Sequence, residues 1–352
     1  MVWDRRKIVL AAAGAAAAVA LTVAGIVLFT HHDKAGRLAS APKPPPSPSP
    51  SPSHQGPLRS PFTGKKVHRL NRVLVVKIGN TFPERPATGL ARADIVYLIP
   101  VEGGLSRIMA VFSSHYPRAI GPVRSAREDD LQLLRQFGRP AFAWSGAQPR
   151  LVPVVRHSRI VDLYALTTRG YFRTVDRVAP YNLYANTRTL LKQARHASRA
   201  RDIGFRFGPQ PPGGHHRRSK TVSYPAASFR FTWSPGKGRW LVRMDGAPAI
   251  STGAGQLSAP TVVVQRVVVG LSRFLEQGPM MPPDAHSVGS GTALVLRNGK
   301  AFHARWSRPS ANGGTTFTTR SGKPMTFARG PVWIVLSYGP GSSPWRSGKP
   351  VR

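Results

Sequence analysis

Between Glu102 and Arg127 the chain gathers one carboxylate and three arginines, in Glu102-Gly103-Gly104-Leu105-Ser106-Arg107 and Gly121-Pro122-Val123-Arg124-Ser125-Ala126-Arg127. A guanidinium is a planar fork that fits phosphate or carboxylate, so this concentration points to an anion. Ser125 followed by Glu128 reads as a capping box, which places free N–H groups and a positive dipole end beside Arg124 and Arg127. The opposing reading is that Glu128, Asp129 and Asp130 already neutralise that helix start. Glu102 precedes two glycines that permit positive φ, so it projects at a strand end. Paired with an arginine it is a structural ion pair; unpaired in a pocket it is the candidate catalytic group, a general base.

Other chemistry is scarce. The sequence has no phosphate loop, no nucleophile elbow and no His-Glu-x-x-His motif. None of its 11 histidines is spaced as a metal site, and cysteine is absent, which removes thiol nucleophiles, zinc-thiolate sites and a lipidated cysteine. No metal and no cofactor are expected. Asp94, Asp129 and Asp130 are the acids nearest to Glu102 for two-carboxylate chemistry. Trp233, Trp240, Trp306 and Trp333 fall in apolar runs and read as core.

The elements that must position these groups follow from periodicity. Residues 73–78, 95–99, 108–112 and 141–144 read as buried strands. One helix is expected from Ser125 to Gly138, and another from Thr187 to Gly204 with a stripe of Leu190, Leu191, Ala194 and Ala197. A Gly/Pro linker covers 208–222. Strands then dominate, at 229–233, 240–244, 261–269, 293–296, 301–306 and 332–336, with Asn298-Gly299 a hairpin turn. The expected fold class is α/β (α+β): a mixed N-terminal domain over 60–207, a mainly β domain over 223–340, and a flexible tail over 341–352.

Lys+Arg number 51 against 14 Asp+Glu, a net charge of +37, and only 6 of those bases and 2 of those acids precede Leu58. The excess belongs to the folded part. It is spread evenly and no nucleic-acid module accompanies it, which favours a solvated Arg-rich surface over nucleic-acid binding. Residues 8–29 are 22 consecutive uncharged residues, mostly Ala, Val, Leu and Ile, enough to span about 30 Å of hydrocarbon. Arg5, Arg6 and Lys7 precede them, so residues 1–7 are expected in the cytoplasm and the rest outside, as a single-pass cell-membrane protein. A cleaved signal peptide is the competing reading. Residues 30–59 form a Pro/Ser-rich disordered linker, read as an extended stalk, with O-glycosylation a second reading.

Several motifs then fall in a familiar order: Pro61-Phe62-Thr63-Gly64, Arg85 to Leu90, Ala93 to Tyr97, Glu102-Gly103-Gly104, Gly121 to Arg127 and Ala179 to Tyr184. With Val262 to Gln265, Gly289-Ser290-Gly291, Asn298-Gly299-Lys300 and Trp333-Ile334, the chain resembles the YerB-like family of bacterial extracytoplasmic lipoproteins, from Ser60 to about Leu336. The resemblance implies a two-domain extracytoplasmic protein with no established activity. It adds Asn182 to the matched positions Glu102, Arg107, Arg124 and Arg127. A membrane helix stands here where relatives carry a lipidated cysteine. Trp144-Ser145-Gly146-Ala147 and Tyr181 stand where relatives often have histidines, which puts any mechanism needing those histidines in doubt. The leading expectation is an anchored envelope protein that binds an anionic cell-wall polymer or phosphate-bearing ligand at Glu102, Arg107, Arg124, Ser125, Arg127 and Asn182. The alternatives are an envelope-acting enzyme with Glu102 or Asp129 as base, and a protein-interaction scaffold.

Overall fold

The structure is a computed structural model and describes residues 56–274, 281–340 and 342. Residues 1–55, with the expected membrane helix at 8–29, lie outside the described residues, as does most of the expected tail. Among the described residues no helix is long and apolar enough to cross a membrane.

The strands Leu74–Gly79 and Ile95–Pro100 are buried along their whole length, because both faces of their sheet are covered and an apolar run satisfies both. They belong to one mixed sheet of eleven strands. From one edge its order is His215–His216, Lys300–Arg308, Gly289–Arg297, Thr261–Val267, Val332–Tyr338, Ile95–Pro100, Ser106–Phe112, Leu74–Gly79, Ala141–Trp144 and Val161–Tyr164, with Thr316–Thr319 attached to the Lys300 strand. The Val332 strand runs parallel to the Ile95 strand, Val332 opposite Ile95 and Val335 opposite Leu98. N-terminal and C-terminal strands thus share a single hydrogen-bonded layer.

Alternation sorts the side chains into two cores. Leu74, Val76, Ile78, Leu98 and Ala110 pack on one face with Phe229, Phe231, Trp240 and Val242 of a smaller antiparallel sheet. The smaller sheet is formed mainly by Ser219–Tyr224, Ala227–Ser234 and Arg239–Met244. Tyr224 fastens the two sheets, its hydroxyl donating to the carbonyls of Leu98 (3.0 Å) and Leu336 (2.7 Å). On the opposite face Val75, Tyr97, Met109 and Val111 meet Leu133, Leu134 and Phe137. Gly104 lies where the two sheets touch: a Cβ there would come within 2.6 Å of Pro225.

Strands dominate more than the α/β expectation held. The helices are short: Glu128–Arg135, Leu151–Arg156 and Thr187–Gln193. The second expected helix stops at Gln193, eleven positions before Gly204. The Ala194 carbonyl accepts from Arg72, and the following backbone bonds to the chain beside the Leu74 strand, Val73 N–H donating to the Ser198 carbonyl at 2.8 Å. Ala197, Ala200 and Ile203 are buried by that docking. The hairpin forms where Asn298-Gly299 placed it, both residues at positive φ between two nine-residue strands. Trp240, Trp306 and Trp333 are core.

Candidate functional site

Glu102 stands where the Ile95 strand turns over Gly103 and Gly104, both at positive φ, into the Ser106 strand. Its partner is Arg127. Arg127 Nε donates to Glu102 Oε1, and Nη2 donates to Oε2 at 2.9 Å. Each residue is 8% exposed. Burial pushes the Glu102 carboxyl up, but the hydrogen bonds and charge of Arg127, with Arg107 beyond, outweigh it and hold the group below its ordinary value. A carboxylate that is ionised and forked by a guanidinium is a poor proton acceptor near neutrality.

Arg124 forms a second pair, which the sequence reading did not anticipate. Its Nε lies 2.5 Å from Glu84 Oε1, and the Glu84 side chain is 1% exposed. Thr81 holds the other carboxylate oxygen through its backbone N–H (2.6 Å) and hydroxyl (2.7 Å). The pair fits because Gly79 leaves room, since a Cβ there would sit 2.2 Å from the Glu84 carboxylate. The Arg124 guanidinium also lies 5.6 Å from the centre of the Tyr181 ring.

Arg107 is left over. Two carboxylates answer three arginines, and each carboxylate is already held by another arginine. Arg107 Nη1 is enclosed and has no hydrogen-bond partner among the described residues. Burial, then repulsion from Arg127 and Arg124 against the pull of Glu102 and Glu84, pushes the Arg107 pKa down to about 9. It keeps its charge at neutral pH, under-compensated.

The Ser125 helix start is corrected. Arg127, not Ser125, is the N-cap, and its backbone N–H donates to Asp130 Oδ2 at 2.8 Å. Asp130 also takes Lys77 Nζ at 2.5 Å, both side chains fully buried. Glu128 accepts from the Ser272 hydroxyl and the Arg273 backbone, each at 2.8 Å, and from Arg273 Nε at 2.6 Å. Helix end and acids thus satisfy one another, and the anion cradle expected at the dipole is filled from within. Asp129 is fully buried; burial and the neighbouring Asp130 raise its pKa well above the usual range. Lys77 carried a readable sign, since a lysine inside the Val-Leu-Val-Val-Lys-Ile run needs a buried partner.

Ser125 instead lines a cleft of about 430 Å³ with Arg124, Ser145, Tyr171, Arg173 and Pro180. No acid is among the described residues of its wall. Asn182 acts behind the cleft: its Oδ1 accepts from Arg173 Nη1 at 2.7 Å, while Nδ2 donates to the carbonyls of Thr174 (2.9 Å) and Arg177 (3.0 Å). It shapes the loop that carries Arg173 and Tyr181. Trp144, one of the positions departing from the resembled family's pattern, is buried, stacks on Tyr164 at 4.2 Å and donates to Asp162 at 2.9 Å. Glu102, Arg107, Arg124 and Arg127 therefore form one electrostatic cluster, of which Arg124 reaches the cleft.

Comparison with known proteins matches two family profiles. Residues 62–201 match the N-terminal domain, and residues 220–334 the C-terminal domain, of a protein of unknown function (DUF3048). A curated relative, "Putative lipoprotein YerB" of Bacillus subtilis (strain 168), is 25% identical over 305 residues, covering 79% of this chain and 86% of the relative. The crystal structure of the YerB protein from Bacillus subtilis is similar in fold, with a TM-score of 0.67 at 21% identity, over 79% of this chain and 96% of that one.

Proposed function

The chain belongs to the DUF3048 family, and from that premise we propose that it is an extracytoplasmic envelope protein that binds an anionic ligand. The ligand enters at the cleft of Arg124 and Ser125 and draws on the surplus charge of Arg107. A phosphate-bearing wall component is the natural candidate. The observation carrying this reading is the Arg107 guanidinium, enclosed at Nη1 without a hydrogen-bond partner among the described residues, beside two carboxylates already engaged. An enclosed guanidinium nitrogen without a hydrogen bond, on a cation only partly compensated, is costly, and an incoming anion offsets that cost. Residues 8–29 would hold the chain in the membrane with its N-terminus in the cytoplasm, in keeping with a relative named as a lipoprotein.

The test is calorimetric titration of the full-length chain with inorganic phosphate and a sugar phosphate, against a neutral sugar. Phosphate is expected to bind and to raise the melting temperature with concentration, and Arg107→Met and Arg124→Met each to weaken binding at least tenfold. Unchanged binding in both variants refutes the proposal.

A further inference from the structure

The Gly/Pro segment that carries His215-His216-Arg217-Arg218 is more than a connection. His215–His216 forms the edge strand of the main sheet, opposite Ala301 and Lys300, and Arg217 N–H donates to the Gly299 carbonyl at 2.8 Å. The chain then enters the Ser219 strand of the smaller sheet. This route opens a cleft of about 540 Å³ between the two sheets, lined by His215, Arg217, Lys220, Arg266 and His303, with no carboxylate among the described residues of its wall.

An unpaired surface arginine is ordinary in a chain of net charge +37. Convergence of three cationic side chains and two imidazoles on one concavity is a different matter, because a low-dielectric wall whose charges are of one sign focuses potential. None of the five side chains has a hydrogen bond or ion pair with another described residue, so each is free to bind. The wall also offers hydroxyls from Thr221, Ser223, Thr292 and Ser337 over an apolar floor of Val222, Val264 and Leu294. A second cleft of about 250 Å³ shares His215, Ala301 and His303 and adds Arg320. The basic surface therefore continues past the sheet edge, beyond the reach of one small anion.

We propose that this trough binds an extended polyanion, a polyol chain linked by phosphodiesters, as a site separate from the Arg107 cluster. The arginines and Lys220 take phosphates, and the hydroxyls take the polyol. A single-stranded nucleic acid fits less well, because such strands stack on aromatic platforms and Tyr338 is, among the described residues, the one Phe, Tyr or Trp that lines the larger cleft. An extracytoplasmic polymer as the natural partner rests on the location proposed above; the site itself does not.

The experiment uses the full-length chain and glycerol-phosphate oligomers of increasing length, with inorganic phosphate and a dT20 oligonucleotide as comparisons. Affinity is expected to rise with oligomer length and to fall with salt. The Arg217→Glu/Arg266→Glu double variant is expected to lose at least tenfold. The Arg188→Glu/Arg195→Glu variant makes the same change in net charge at exposed positions away from the trough and should change affinity less than threefold. Arg107→Met should leave oligomer binding intact, which separates this site from the cluster. Equal losses in the two double variants would reduce the effect to net charge and overturn the proposal, as would no oligomer binding at all. Binding of dT20 as tight as that of the oligomer, and equally sensitive to Arg217→Glu/Arg266→Glu, would overturn the ligand class.

Discussion

Replacing Arg107 by methionine should make the unliganded protein more stable. The charged guanidinium is disfavoured where it sits, its pKa pushed from the ordinary arginine range down to about 9 by burial and its two cationic neighbours. At about 1.36 kcal/mol per tenfold change in proton affinity, the ceiling on that penalty is about 5 kcal/mol. Solvent reduces it, because part of the residue remains open. Methionine keeps much of the volume and removes the charge. A gain of about 1–2 kcal/mol is therefore expected, comparable to replacing other buried ionic groups by apolar ones. Urea unfolding at pH 7 in low-phosphate buffer measures it as a higher midpoint at unchanged slope. Adding phosphate should narrow the gap, since the proposed anion site is weakened in the variant. A loss of stability in Arg107→Met would refute the reasoning, by showing that the guanidinium is compensated where it stands.

Two further substitutions test the buried acids. Glu102→Gln should cost about 2 kcal/mol at pH 7, because the fork on Arg127 is a pair of charge-assisted hydrogen bonds. The Glu102 carboxyl titrates below its ordinary 4.5, so this contribution is full above that value. The gap to wild type should then shrink as pH falls through the lower native value, as followed by denaturant midpoints between pH 3 and 7. Asp129→Asn should act in the opposite sense. The native state keeps a proton that the unfolded chain releases above 3.8, so wild-type stability falls as pH rises from there toward the raised native value. The amide avoids that loss, and its advantage should widen across the same window in thermal melts.

Much of the backbone was legible along the chain because strand and turn preferences are local. Val73 to Ile78 could hardly be anything but a buried strand, and Asn298-Gly299 could hardly avoid a tight hairpin. The helix expected from Thr187 to Gly204 was misjudged for the same reason. Its alanines and leucines carry a helical stripe, and a distant strand edge claimed the second half of that segment. The identities of Glu102, Arg107, Arg124 and Arg127 were also visible, as charges beside strand ends and glycines.

The sequence by itself determined which charged residues are gathered between Glu102 and Arg127, and so which groups the proposed site could draw on. Only the tertiary structure decided how those charges divide. Glu102 and Arg127 lie 25 positions apart and Glu84 and Arg124 lie 40 apart, so which carboxylate meets which guanidinium depends on how strands and turns are laid side by side. Composition cannot reveal that two acids are taken and Arg107 is not, nor that a histidine-arginine run forms one wall of a trough. Pairing energy acts over a few ångströms, and it is the fold that sets those distances.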